Sequence, residues 1–138
     1  MRENAVRKRI LIVDDETDIR LVIRTLLNAA GYEVEDAQDG EAALQKLSSK
    51  HFDLMVLDIM MPKMDGYALM EQLKKREICI PVVMLTVKAD HPSLWKSYQQ
   101  GAALHMTKPF ESEKLVDAVN YLVGDISKEE RRRIETTL

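Results

Sequence analysis

Four short apolar runs in this sequence each lead into residues capable of polar chemistry. Residues 10–13 run into Asp14 and Asp15, 54–57 into Asp58, 81–85 into Thr86, and 103–107 into Lys108. Three carboxylates brought together repel one another and call for a cation. A hard ion with oxygen ligands, Mg²⁺, is the natural candidate, held through a few carboxylates plus waters or phosphate oxygens. Lys108 adds a positive charge that can meet a phosphoryl oxygen, and Thr86 adds a hydroxyl donor. Such a set suits phosphoryl transfer, in which catalysis is mostly positioning and charge neutralisation. A carboxylate can be the nucleophile, giving an aspartyl phosphate. Singly, each piece has an ordinary reading. Asp14-Asp15 before a helix is common N-cap chemistry, Asp58 and Thr86 are common loop caps, and Lys108-Pro109 is a common surface turn. The information lies in the four together.

The elements that must position them alternate along the chain. The run at 10–13 has the composition of a strand buried on both faces. At 17–30, Ile19, Val22, Ile23, Leu26 and Ala30 recur at helical spacing, and Gly31 supplies a stop. Residues 32–37 read as a more exposed strand, Asp39-Gly40 as a turn, and 41–47 as a helix with Ala43, Leu44 and Leu47 inward. A doubly buried strand at 54–57 ends on Asp58, and a helix at 67–76 follows. The strand at 81–85 ends on Thr86. A helix at 92–100 carries Trp95 as a candidate partner contact and Tyr98 as a core residue, and Gly101 closes it. A short strand at 103–107 and a helix at 111–123, with Leu115, Val119 and Leu122 on one face, complete the series. Five successive β-α units imply a parallel sheet with helices on both sides, a doubly wound (βα)5 α/β sandwich. In such sheets ligands bind in the crevice outside the carboxyl ends of the strands. That is where the polar residues fall.

At 138 residues the chain can bury a full core as one domain, and 46% hydrophobic with 31% charged residues excludes an intrinsically disordered class. The formal charge of −3 gives no global reason to expect nucleic acid as a partner. There is no G-x-x-x-x-G-K-[ST] or G-x-G-x-x-G stretch for a nucleotide. A lone cysteine, Cys79, forms no internal disulfide and suits a reducing compartment. The basic start at 1–9 is followed by only four apolar residues, too few for a signal segment or a membrane span, so a cytoplasmic location with no membrane contact is expected. Residues 1–123 read as the domain. Residues 124–138, with the run Lys128-Glu129-Glu130-Arg131-Arg132-Arg133, read as a charged, solvated helical extension or linker. The eight methionines read as core and loop packing.

Across roughly residues 8–123 the sequence resembles the CheY-like receiver domains of two-component response regulators. The resemblance is carried by Ile10-Leu11-Ile12-Val13-Asp14-Asp15-Glu16 and by Leu57-Asp58-Ile59-Met60-Met61-Pro62-Lys63-Met64-Asp65-Gly66. Leu85-Thr86 and Gly101-Ala102 through Thr107-Lys108-Pro109-Phe110 complete it. It implies a flavodoxin-like fold with strand order 2-1-3-4-5. Residue by residue, it implies that Asp58 is the phosphoacceptor and that Asp14, Asp15, Asp58 and the Met60 backbone carbonyl hold Mg²⁺. It makes Lys108 the contact to the phosphoryl group and the Lys108–Pro109 bond cis. Thr86 and His105 become a switch that rearranges the surface of the fourth helix, fifth strand and fifth helix. The implied partners are a sensor histidine kinase or phosphotransfer protein upstream and an output partner or effector domain downstream. A phosphorylation-dependent homodimer and a monomer are both open. The protein would turn over its own phosphate rather than a metabolite, and so is not an enzyme in the usual sense.

The sequence departs from the family's commoner residues in places. His105 stands where Tyr or Phe is usual, and Val87 where a small residue is usual. Met60 and Lys88 stand where relatives tune the lifetime of the phosphorylated state, and an apolar Met60 implies slow autodephosphorylation. The alternative is a Mg²⁺-dependent phosphohydrolase of the haloacid-dehalogenase type. Such enzymes carry a second Asp two residues after the nucleophile, where this chain has Met60.

Overall fold

The computed structural model describes residues 7–87 and 101–137. Five strands are present, β1 (Arg9–Val13), β2 (Glu33–Ala37), β3 (Leu54–Asp58), β4 (Val82–Thr86) and β5 (Leu104–Thr107). Among the described residues there are five helices, α1 (Thr17–Ala29), α2 (Gly40–Ser49), α3 (Gly66–Lys75), α4 (Ser112–Val123) and α5 (Lys128–Glu135). The strands form one parallel sheet in the order β2-β1-β3-β4-β5. The doubly wound α/β architecture expected from the alternation is the one observed. Lys88 and the helix expected at 92–100, with Trp95 and Tyr98, lie outside the described residues.

Between their ends β1, β3 and β4 are continuously apolar because both faces of the sheet are covered. Successive side chains point to opposite faces. One face carries Leu11, Val13, Met55, Leu57, Val82 and Met84 into a core completed by α2 and α3 through Ala43, Leu44, Leu47, Leu69, Met70 and Leu73. The other face carries Ile10, Ile12, Leu54, Val56, Val83 and Leu85, packed against Ile23 and Leu27 of α1 and Leu115 and Val119 of α4. β2 is an edge strand, with only Val34 and Ala37 buried.

In α1 the apolar residues divide between core and surface. Val22 is 46% exposed and Ala30 is exposed, whereas Leu27 is fully buried. A helix against a sheet buries a narrow stripe, here centred on Ile23 and Leu27 with Ile19 and Leu26 at its margins. Val22 falls beyond that stripe. Ala30 is the C-cap residue, its N–H bonded back to the Leu26 and Leu27 carbonyls, before Gly31 at φ 98°.

Helices start where acidic or hydroxyl side chains satisfy free N–H groups. Asp39 accepts from Ala42 N at 2.8 Å, Asp65 from Ala68 N at 2.8 Å, and Ser127 from Glu130 N at 3.1 Å. After Gly124 the chain turns back, and α5 lies on the outer face of α4. Ile134 is fully buried. Arg133 pairs with Asp117 at 2.9 Å and with Glu130 at 2.6 Å, while Arg131 sits over the Tyr121 ring at 4.8 Å. No helix among the described residues is long and apolar enough to cross a membrane.

Candidate functional site

The ends of β1, β3, β4 and β5 deliver Asp14, Asp58, Thr86 and Lys108 to one rim of the sheet. In-register pairing does this: Val13 lies beside Leu57, Asp58 beside Leu85, and Thr86 beside Thr107. Asp14, Asp58 and Thr86 are all buried, at 1%, 3% and 0% exposure. The Lys108 backbone N–H donates to the Thr86 carbonyl at 2.8 Å, which fixes where its side chain starts. The ammonium then donates to Asp14 Oδ2 at 2.7 Å and lies 3.4 Å from Asp58 Oδ2. The Lys108–Pro109 peptide bond is cis.

Electrostatics follow from this crowding. Burial, and then the neighbouring Asp14 charge, push the Asp58 carboxyl up to about 6, which Lys108 and the Met60 N–H only partly offset. That Met60 N–H donates to Asp58 Oδ1 at 3.2 Å. Burial alone would lower the Lys108 ammonium, but the hydrogen bond and charge of Asp14, followed by Asp58, hold it above its usual value. The arrangement is a buried pair of anions sharing one cation.

Beside it the site opens to solvent. Asp14, Asp15 and Glu16 each offer a carboxylate oxygen, all within 4.8 Å of one another, with Asp14 buried and the other two exposed. This all-oxygen donor set with an open side fits a hard divalent ion that keeps several waters. Glu16 was not singled out as a donor in the sequence, where it reads as the last residue before a helix. The backbone N–H of Glu16 also donates to Asp14 Oδ1 at 2.9 Å, so the turn itself orients Asp14.

Arg20 and Gly66 were not legible as site residues either. Arg20 reaches from α1 to donate to the Asp14 carbonyl at 2.7 Å and to Asp36 Oδ2 at 3.2 Å. Gly66 sits so close to the end of β3 that a Cβ there would come within 2.9 Å of the Asp58 carbonyl oxygen and the Ile59 Cα. The signal for Arg20 is its place one helical turn after Glu16, which has meaning only once β2 is known to lie beside β1.

His105 lies on β5 opposite Met84. Its ring is partly buried, its Nε2 has no hydrogen-bond partner among the described residues, and burial pulls its pKa below the usual value. Met60 and Val87 flank the rim, 49% and 65% exposed. A groove of about 410 Å³ beside the rim is lined by Ile19, Val22, Val87, Lys108 and Phe110, among others. A larger cavity of about 730 Å³, at Lys8, Tyr32 and Asn120, is at the other end of α1 and takes no part in this chemistry.

Residues 10–120 match the response regulator receiver domain family. The chain belongs to that family. As a receiver domain it is a phosphorylation-dependent signalling switch, and the family match leaves the phosphohydrolase alternative without support. This receiver is 42% identical over 117 residues to a probable transcriptional regulator, ycf27, of Cyanophora paradoxa, covering 85% of this chain and 48% of that protein. It spans about half the length of the curated relatives that it matches first. Among solved structures, the chemotaxis protein CheY4 of Vibrio cholerae superposes with a TM-score of 0.81 at 31% identity, covering 86% of this chain and 100% of that one. The response regulator TrrA of Thermotoga maritima, solved in complex with Mg²⁺-BeF, has a TM-score of 0.75 at 34% identity, covering 84% and 99%.

Proposed function

We propose that Asp58 accepts a phosphoryl group from a phosphohistidine on a sensor histidine kinase or phosphotransfer protein. The observation that carries this reading is the buried Asp58 sharing the Lys108 ammonium with Asp14, next to an open cluster of oxygen donors. An Asp58 oxygen attacks phosphorus in line, the P–N bond to the imidazole breaks, and the imidazole leaves with that electron pair. Lys108 meets the charge that gathers on the phosphoryl oxygens, and its backbone tie to Thr86 holds it in place. Asp14, Asp15, Asp58 and the Met60 carbonyl would hold Mg²⁺, with Glu16 at the margin. Bound there, Mg²⁺ neutralises the carboxylates and orients the donor phosphate. Thr86 and His105 respond to the new anion, Thr86 through its hydroxyl and His105 through its ring, and so change the surface around β5 and α4. Met60 and Val87, exposed beside the acceptor, obstruct an attacking water and make the phosphorylated state long-lived.

The switch is read as residues 1–123, with 124–138 as its extension, working in the cytoplasm. Its output is an effector domain or a separate partner, because full-length relatives named as transcriptional regulators are about twice as long. A homodimer formed on phosphorylation belongs to the same reading. The test is intact-protein mass spectrometry after incubation with acetyl phosphate, with and without Mg²⁺. A phosphoryl adduct that needs Mg²⁺ and is absent from Asp58→Asn supports the assignment. An adduct that persists in Asp58→Asn moves the acceptor elsewhere.

A further inference from the structure

Arg20 is the best-connected cation near the acidic turn, yet it meets Asp14 only through the backbone and touches none of the carboxylates that would hold the ion. It is 13% exposed and makes three bonds at once. Nη1 donates to the Asp14 carbonyl at 2.7 Å, Nε to Asp36 Oδ2 at 3.2 Å, and Nη2 to Thr17 Oγ1 at 3.4 Å. We propose that Arg20 is a positioning residue for divalent-cation binding, which clamps the Asp14–Asp15 peptide so that the carboxylates of the turn are preset.

Asp14 is held from every side. Its N–H donates to the Ala37 carbonyl at 3.2 Å, its Oδ1 accepts from Glu16 N, and its Oδ2 takes the Lys108 ammonium. The Asp14 carbonyl is the remaining handle, and it belongs to the same peptide plane as the Asp15 N–H. Rotating that plane would swing the Asp15 carboxylate relative to Asp14 and Glu16. The guanidinium blocks that rotation because its own direction is fixed by Asp36 on β2, the residue paired with Ile12 of β1. The planar fork of Arg reaches both oxygens at once, which an ammonium point charge does not do.

This proposal rests on the divalent-ion reading above, and it makes an unusual prediction of sign. A positive charge beside an acidic cluster repels a cation, so charge alone says that removing Arg20 tightens Mg²⁺ binding. Positioning says the opposite, since loss of a group that orients metal ligands typically weakens affinity roughly 10-fold or more. The experiment is calorimetric titration of Mg²⁺ into the parent chain, Arg20→Met and Arg20→Lys, with thermal melts of each in chelator. The expected result is a Kd raised roughly tenfold in both variants, with Arg20→Lys melting close to the parent. Tighter binding by Arg20→Met with a parent-like Arg20→Lys would overturn the proposal in favour of charge alone. Where Arg20→Met does not bind more tightly, an unchanged Kd in Arg20→Lys would overturn it too, because a lysine would then serve as well as the fork, whatever the melts show. A parent chain that takes up no Mg²⁺ would overturn the metal reading itself, and Arg20's role with it. That outcome is distinct because it appears before any variant is made.

Discussion

Asp58 keeps its proton to about pH 6 in the folded chain, against 3.8 for an ordinary aspartate. Between those values the folded chain binds a proton that the unfolded chain has lost, so stability falls as pH rises from about 4 to about 6. Above that window the cost is fully present. Asp58→Asn should therefore stabilise the metal-free protein at pH 7.5 by roughly 2 kcal/mol, after allowance for partial solvent screening. The advantage should vanish near pH 4. Melts in chelator at both values check this, and an equal gain at both would mean that the substitution acts through packing. Lys108→Met removes the cation from between two buried carboxylates and should cost roughly 3 kcal/mol at pH 7.5, with partial recovery in acid as a carboxyl protonates. Parent-like melting at neutral pH would show that the pair is already compensated. At this scale the sequence was legible where an apolar run ends in a polar residue, as at Asp14, Asp58, Thr86 and Lys108. It was not legible at Arg20 or Glu16, whose roles depend on which strand lies next to which.

Strand β3 and helix α3 meet at Gly66, and the closeness of that junction is a property of the pair. A methyl group at Gly66 would press on the Asp58 carbonyl and on Ile59 Cα, both backbone atoms that cannot swing aside. Gly66→Ala should destabilise by about 1–3 kcal/mol and reduce phosphoryl uptake, because the Ile59–Gly66 loop carries the Met60 N–H that bonds Asp58. Melting temperature and adduct formation measured together check it, and wild-type values for both would show that the loop can give. Apart from the helix at 92–100, which lies outside the described residues, the expected strands and helices were legible because buried parallel strands leave continuous apolar runs and helices a wider apolar spacing. Asp39 and Asp65, read as turn and loop residues, are the N-caps of α2 and α3. In α1 the helical spacing left open which apolar residues face inward, and Val22 and Ala30 lie outside the core. Apolar spacing identifies a helix but does not say how wide a stripe the sheet covers, and an apolar residue at the groove's edge looks the same in sequence as one in the core.

Two cores on opposite faces of one sheet hold the molecule together, and α5 is added to its outside. A dense charge run conceals the single aliphatic residue, Ile134, that seats this helix. Ordinarily, truncating a fully buried Ile to Ala costs about 2–5 kcal/mol. Here the loss is capped by the free energy of docking one eight-residue helix, because α5 can leave without the cores opening. Ile134→Ala should thus lower the melting temperature little while amide exchange in 128–135 rises strongly. A large drop in global stability would show instead that α5 is integral to the fold. At the other end of the structure, one cation serves two anions at the rim where β1, β3, β4 and β5 converge. The ammonium carries a single charge, and whatever share of it meets an arriving anion no longer serves Asp14 and Asp58. Because Lys108 is also stitched to the last residue of β4, that reassignment is a tug on a seam. The rim registers what arrives at one carboxylate by the grip it releases on the other.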